Sequence, residues 1–472
     1  MLTQIEGYTL FVLYGAFIIA LVLYTSRKSQ ESDYFLLMGR GLGVFRGSMS
    51  MAVSWIWAPA IFICSLKAYE QGLPGVLWFT LPNILTFFVF AIFAVKMREL
   101  LPKGYIVSEI FHYKFPTIKS LHWAVAVVTF GYQLGAIIIN CVAGAILISL
   151  LAGIPFHIGV LLMAGLSLSY SLISGLRASV ISDVAQMLMI LFIAVLLVPW
   201  VIFESGGLTS VYSGLGGYTG EYRNIFDLGV AYSFGIAATL GLLAGPVADQ
   251  MFSQRAFAAR KDALVKIFVF GGLIFGVVPI ILSILGFVGA NGVQQGLFQI
   301  TDSQMVGPEV ISYYLPKWAL ALFAIMAFAG LTSTLDSAFS AIGSLTAKFN
   351  FTNHADSSKT VFLARLGMVV FAILGAIISL LHPDLLWVFL IYGALASSIF
   401  IPSFLALYWN KLNGKAASVG IISSFIIGTP LSIYANVTEN TDLIVASALI
   451  SILLSGIISA LLTFFYNSRN LK

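Results

Sequence analysis

The chain has 472 residues, 60% of them hydrophobic and only 9% charged, with a net charge of +5. A soluble protein carries about 25% charged residues, so this composition excludes a soluble globular domain and points to a polytopic membrane protein. The basic excess needs no nucleic acid to explain it, because basic residues in the loops of such a protein set its topology and meet anionic headgroups.

Apolar runs long enough to span a bilayer lie near 8–25, 43–66, 75–97, 120–151, 156–175, 182–203, 228–250, 264–291, 316–346, 361–381, 385–409, 416–435 and 442–466. They predict an all-α protein of about thirteen transmembrane helices, with 156–175 and 385–409 the least distinct as separate spans. Glu6 precedes the first run without a basic segment before it, so the first span is expected to be retained rather than cleaved. Span two carries Pro59 in mid-membrane, and a proline frees a carbonyl one turn earlier. Cys64 and Cys141 lie inside apolar runs and read as small packing residues, not as a disulfide or a zinc site. The outer loops near 204–227 and 292–315 are polar covers with short amphipathic pieces, and an inner loop lies near 347–360.

Span seven contains Gly235, Gly241, Gly245 and Pro246 and reads as broken there. Transporters place broken helices at matching positions of two inverted repeats. Spans two and seven are five apart, so spans 2–6 and 7–11 form the repeats. In residues, one transporter domain fills 1–472: a first span and inner loop (1–41), a first repeat (42–203), a second repeat (228–409) and two peripheral spans (410–472).

With the N-terminus outside, only Lys67, Arg223 and Lys317 of the 24 basic residues fall outside. The rest, among them Arg27, Lys28, Arg255, Arg260 and Lys472, fall in inner loops. This asymmetry predicts N out and C in, in a cell or inner plasma membrane.

Asp336 lies inside the apolar stretch 318–345. A carboxylate at such depth costs about 2.5–3.5 kcal/mol on insertion scales and needs a partner. Ser333, Asp336, Ser337 and Ser340 are spaced i, i+3, i+4, i+7 and share one helix face. A ladder of oxygens suits a hard cation such as Na⁺; it also suits a polar contact between helices.

Four motifs then carry a resemblance. They are Asp33-Tyr34-Phe35 with Gly39-Arg40-Gly41-Leu42-Gly43; Ser174-Gly175-Leu176-Arg177-Ala178 with Ser182-Asp183-Val184-Ala185-Gln186; Asp249-Gln250 with Gln254-Arg255-Ala256-Phe257-Ala258-Ala259-Arg260; and Ser333-Thr334. In order and with this topology, the chain resembles the sodium:solute symporter family over nearly its whole length. The resemblance implies a leucine-transporter-type fold and solute uptake coupled to cation influx, with Na⁺ as the coupling ion and H⁺ as its alternative. It implies a first sodium site from the carbonyls of Val53, Ile56 and Gly330 and the hydroxyls of Ser333 and Thr334. It implies a second cation site at Asp183, Asp336 and Ser337, where Asp336 stands in a position at which some members carry serine. Asp183 also reads as an ordinary acid near a helix N-terminus.

The solute should lie between the breaks of spans two and seven. Lining candidates are Trp55, Trp57, Ala60, Trp78, Tyr132, Gln133 and Tyr232. No Arg or Lys lies deep in spans two, three, four or seven, which disfavours a bulky anion. Ser54-Trp55-Ile56-Trp57-Ala58, the glycines and tryptophan of Gly72 to Trp78, and Asp249-Gln250 resemble the urea-transporting branch. Proline and other small amino acids are the runner-up, since a half-helix N-terminus can hold a carboxylate.

Rival classes lack their signatures. No Gly-x-x-x-x-Gly-Lys-Ser/Thr loop exists for a nucleotide. His112, His122, His157, His354 and His382 sit at loops or span ends and form no acid/base or metal set, so no enzyme is expected. A channel or a solute sensor stays open as another class. The expected partners are a small-molecule solute and the lipid bilayer, with a monomer as the transport unit.

Overall fold

The computed structural model describes residues 2–25, 31–349 and 357–469, so Arg27, Lys28, His354 and Lys472 lie outside the described residues. Among the described residues the regular elements are all helices; one isolated bridge joins Leu42 to Ala259. The main helices are α1 (Gln4–Thr25), α2 (Val44–Ser54), α3 (Cys64–Leu100), α4 (Lys119–Ala152), α5 (Phe156–Ser174), α6 (Leu176–Glu204) and α7 (Ile236–Ala248). They continue as α8 (Gln250–Ala258), α9 (Leu264–Gln294), α10 (Lys317–Lys348), α11 (Ser357–Ser379), α12 (Leu385–Tyr408), α13 (Gly414–Val437) and α14 (Thr441–Arg469).

Twelve helical stretches among the described residues are long and apolar enough to cross a membrane. One of them, Pro59–Leu100, has 42 residues. A straight helix of that size would be about 63 Å long, twice the ~30 Å hydrocarbon core. It is not straight, because Gly72 (φ 55°, ψ −143°) folds it back. Residues 59–71 thus complete the broken second span with α2, and 73–100 form the third. This doubling reconciles twelve stretches with about thirteen crossings.

Gly72 is held by the outer loop. A Cβ on it would come within 2.4 Å of the Leu215 carbonyl oxygen and 2.5 Å of that of Tyr222. The Tyr218 amide donates to the Tyr69 carbonyl (2.7 Å), and the two rings stack at 5.2 Å. The loop near 204–227 is therefore tied to the turn between spans two and three. Gly72→Ala combines this clash with a backbone conformation that costs about 1–3 kcal/mol for other residues. A lowered thermal unfolding midpoint in detergent is the expected result, and an unchanged midpoint would refute this account of the turn.

The packing repeats itself. α2 packs on α9 as α7 packs on α3, α2 on α6 as α7 on α12, and α4 on α12 as α10 on α6. α4 also meets α5 as α10 meets α11. Each pair has its counterpart five spans along, as an inverted repeat of spans 2–6 and 7–11 requires. α13 and α14 pack on each other and on α12, at the periphery.

Span two breaks where expected, between α2 and Pro59, with a wide turn over Pro59–Ile63. Span seven does not break at its glycines or at Pro246. Pro246 cannot donate to the Leu242 carbonyl, but the Thr86 hydroxyl on α3 bonds that carbonyl instead, and the helix continues. The break falls at Asp249, which is extended (φ −82°, ψ 109°). Its side chain accepts the Met251 amide at 2.7 Å and so caps α8. All nine residues of α8 are buried. Arg255 is therefore not in an inner loop, as its charge suggested, but inside the bundle on the second half of a broken span.

Candidate ion and solute sites

Four helices bring their polar faces together around Arg255. On α6, Ser179, Ser182 and Asp183 stand one turn apart; on α10 stand Ser333, Asp336 and Ser337; α2 supplies Ser50 and Ser54. All of these side chains are buried. The Arg255 guanidinium donates to Asp183 Oδ2 (2.9 Å), to Ser337 Oγ (2.7 Å) and, through Nε, to Ser50 Oγ (2.8 Å). Asp183 also accepts from Ser50 and Ser333, each at 2.5 Å. Asp336 accepts from Ser179 (2.6 Å) and Ser182 (3.1 Å). Ser179 lies 3.4 Å from Asp183 as well, so one hydroxyl touches both acids.

The residues expected to form a second cation site, Asp183, Asp336 and Ser337, thus lie in one cluster. What the sequence reading missed is that Arg255 is its resident cation. The guanidinium pairs with Asp183 alone, and Asp336, held by serine hydroxyls, has no cation in contact. A buried unpaired charge is strongly unfavourable, so Asp336 is either neutral through a bound proton or balanced by a further cation.

Around the expected first site, Thr334 Oγ1 reaches the Gly330 carbonyl (3.3 Å) and a span-two carbonyl (3.2 Å). The latter belongs to Ser54 rather than Val53, whose carbonyl accepts the Ile56 amide at 2.9 Å. The Ile56 carbonyl faces Gly330 so closely that a Cβ there would sit 2.8 Å from its oxygen. Ser333 points to Asp183. It stands beside Thr334 in sequence, so the two candidate sites are linked through this hydroxyl. Ser340 leaves the ladder and pairs with Gln254 (3.1 Å), a plain helix contact.

The solute candidates divide. Trp57 and Tyr132 line a cavity at the crossing of spans two, four, seven and eleven. Trp55 instead packs on Phe252 (4.9 Å) and bonds Asn83 (2.8 Å). Ala60 is buried in the wide turn, and Trp78 lies against Gly235. Gln133 bonds Asp249 at 2.9 Å. Tyr232 is not in the cavity: it is half exposed and donates to Asp442 (2.8 Å), near the start of α14. The rest of the cavity wall was not anticipated. Phe389, Leu390, Tyr392 and Gly393 of α12 face Ala237, Ala238, Gly241 and Leu242 of α7. Tyr392 stacks on Tyr132 at 3.8 Å. A Cβ on Gly241 would come within 2.9 Å of the Gly393 Cα. That glycine pair inside two apolar runs is the signal that could have located α12 in the wall.

Two inverted repeats, two broken spans and buried charge beside the breaks define a secondary transporter. Residues 34–424 match the sodium:solute symporter family, and the chain belongs to it. It is 22% identical to the urea-proton symporter DUR3 of Oryza sativa subsp. japonica, over 97% of this chain and 71% of that protein. It is 24% identical to the sodium/pantothenate symporter of Escherichia coli (strain K12), over 90% of this chain and 89% of that one. A solved Na⁺-coupled sialic acid symporter has the same fold, with a TM-score of 0.75 and 17% identity over 96% of this chain and 98% of its own. The fold is thus of the leucine-transporter type.

Proposed function

We propose that this protein is a sodium-coupled symporter that imports a small neutral polar solute, urea above others, by alternating access. The observation that carries the reading is the Ser333 hydroxyl. It ties Asp183 to the segment of α10 that meets α2, beside Asp336, a buried acid with no cation in contact. A cation there would bridge α2 to α10 and hold the outward-open state; solute would then bind, and both would be released inward. In this reading the N-terminus lies outside and the C-terminus in the cytoplasm, as the basic residues of the loops favour, with the monomer as the transport unit. The curated likenesses support a small solute and include both urea and pantothenate carriers. A second reading keeps the fold and couples uptake to protons. It is favoured by Asp336, an acid where the family pattern allows serine.

Uptake of radiolabelled urea into proteoliposomes tests the proposal, with and without an inward sodium gradient at two pH values. Sodium-driven accumulation is expected. Accumulation driven only by a proton gradient would replace sodium as the coupling ion, and leakage without any gradient would make the protein a channel. The variant Ser333→Ala/Thr334→Ala should raise the sodium concentration for half-maximal uptake by about tenfold or more, as loss of two ligand oxygens implies. Unchanged sodium dependence would remove these hydroxyls from the site.

A further inference from the structure

At the break of span seven two buried acceptors lack a donor. Asp249 Oδ1 accepts both the Met251 amide (2.7 Å) and Gln133 Nε2 (2.9 Å). Its other oxygen, Oδ2, has no partner, nor does Gln133 Oε1. Both side chains are fully buried. The orientation of the Gln133 amide follows from chemistry, because a carboxylate in this pair accepts and the NH₂ must face it. The oxygen is therefore the atom left over. Buried acceptors without donors are costly, and a solute that presents several N–H groups would satisfy both at once.

The pair does not line the cavity but lies beside its wall. Gln133 follows Tyr132, which lines it. Gly245 is one turn before Asp249; a Cβ there would meet the Tyr132 hydroxyl at 2.5 Å and the Trp55 ring at 3.2 Å. The breaks of spans two and seven thus converge at this level. A half-helix N-terminus at such a break commonly attracts an anionic group of the solute. Here the N-terminus of α8 is already capped by the chain's own carboxylate. A solute carboxylate would meet a negative charge instead of free amides.

We infer that Asp249 and Gln133 form the solute's recognition pair, selecting flat N–H donors such as ureas, amides or amidinium ions and rejecting carboxylates. This rests on the proposed reading as a solute symporter and narrows its substrate class. Urea fits with four N–H groups and no acid; a flat face suits the aromatic wall of Trp57, Tyr132 and Tyr392.

Asp249→Asn is the informative variant. Asparagine retains an oxygen for Met251 and Gln133, and is an equally good cap, but puts a donor where Oδ2 was. Sodium-driven uptake in proteoliposomes is measured for urea, formamide, acetamide, guanidinium and proline, with thermal unfolding as the folding control. The expected result is a KM for urea raised about tenfold or more, as loss of a hydrogen bond to a charged group implies. The unfolding midpoint should stay near that of the parent, and proline should not accumulate in either. A urea KM changed by less than about twofold overturns the inference. If the parent moves no urea but does move formamide, acetamide or guanidinium, and the variant weakens that uptake, the recognition pair stands and urea falls. If only proline accumulates, the recognition pair falls while symport stands.

Discussion

Arg255→Met destabilises the protein by about 3–5 kcal/mol, the usual cost of removing one partner from a buried ion pair, and abolishes gradient-driven uptake. The guanidinium contacts Asp183, Ser337 and Ser50 at 2.7–2.9 Å, and all of these groups are fully buried. Without it Asp183 and Asp336 face each other with no basic side chain in contact. The double variant Arg255→Met/Asp183→Asn should regain much of the stability, since it removes the uncompensated charge along with its partner. The sodium response is the sharper readout. If the cluster accepts a coupling cation, sodium should raise the unfolding midpoint of Arg255→Met more than that of the parent, because the ion then fills the place of the guanidinium. An equal response to sodium and to choline chloride would make the pair purely structural. Arg255→Lys is not a conservative control, because one ammonium cannot serve Asp183, Ser337 and Ser50 from the fork geometry that guanidinium provides.

Asp336→Ser is expected to change the ion coupling while the fold is kept. The substitution removes the acid that has no cation in contact and leaves its donors, Ser179 and Ser182, able to bond each other or a water. Asp183 and Asp336 are bridged by the one Ser179 hydroxyl, and carboxylates so close disfavour each other's charge, so the sodium-free protein should gain stability. The same charge attracts a coupling cation. Its loss should therefore raise the sodium concentration for half-maximal uptake by about tenfold or more, or remove the pH dependence of uptake if a proton fills that role. Asp336→Asn separates charge from shape, since it retains one acceptor oxygen. Uptake with the parent's sodium and pH dependence in both variants would leave Asp336 a structural acid.

By itself the sequence determined the class of protein. Lipid demands runs of about twenty apolar residues and internally bonded backbone, and thirteen such runs with basic loops are visible without any tertiary information. Asp336 was legible as a candidate because its local stretch holds no basic partner for a carboxylate at that depth. The order of four short motifs was enough to find the family. Tertiary structure alone decided how buried charge and the backbone break are satisfied. Arg255 reads locally as a loop residue, and only Asp183, 72 positions earlier, makes its burial possible. Pro246 reads as the break of span seven, yet Thr86, 156 positions from the carbonyl it bonds, repairs the helix there and leaves Asp249 as the break. Tyr232 reads as a lining residue but turns outward to Asp442, while Phe389 and Tyr392, in a run whose status as a span was least distinct, close the cavity. Local pattern reports what each segment prefers as solvent. The partner of a buried polar group comes from anywhere in the chain, and only the packed helices choose it.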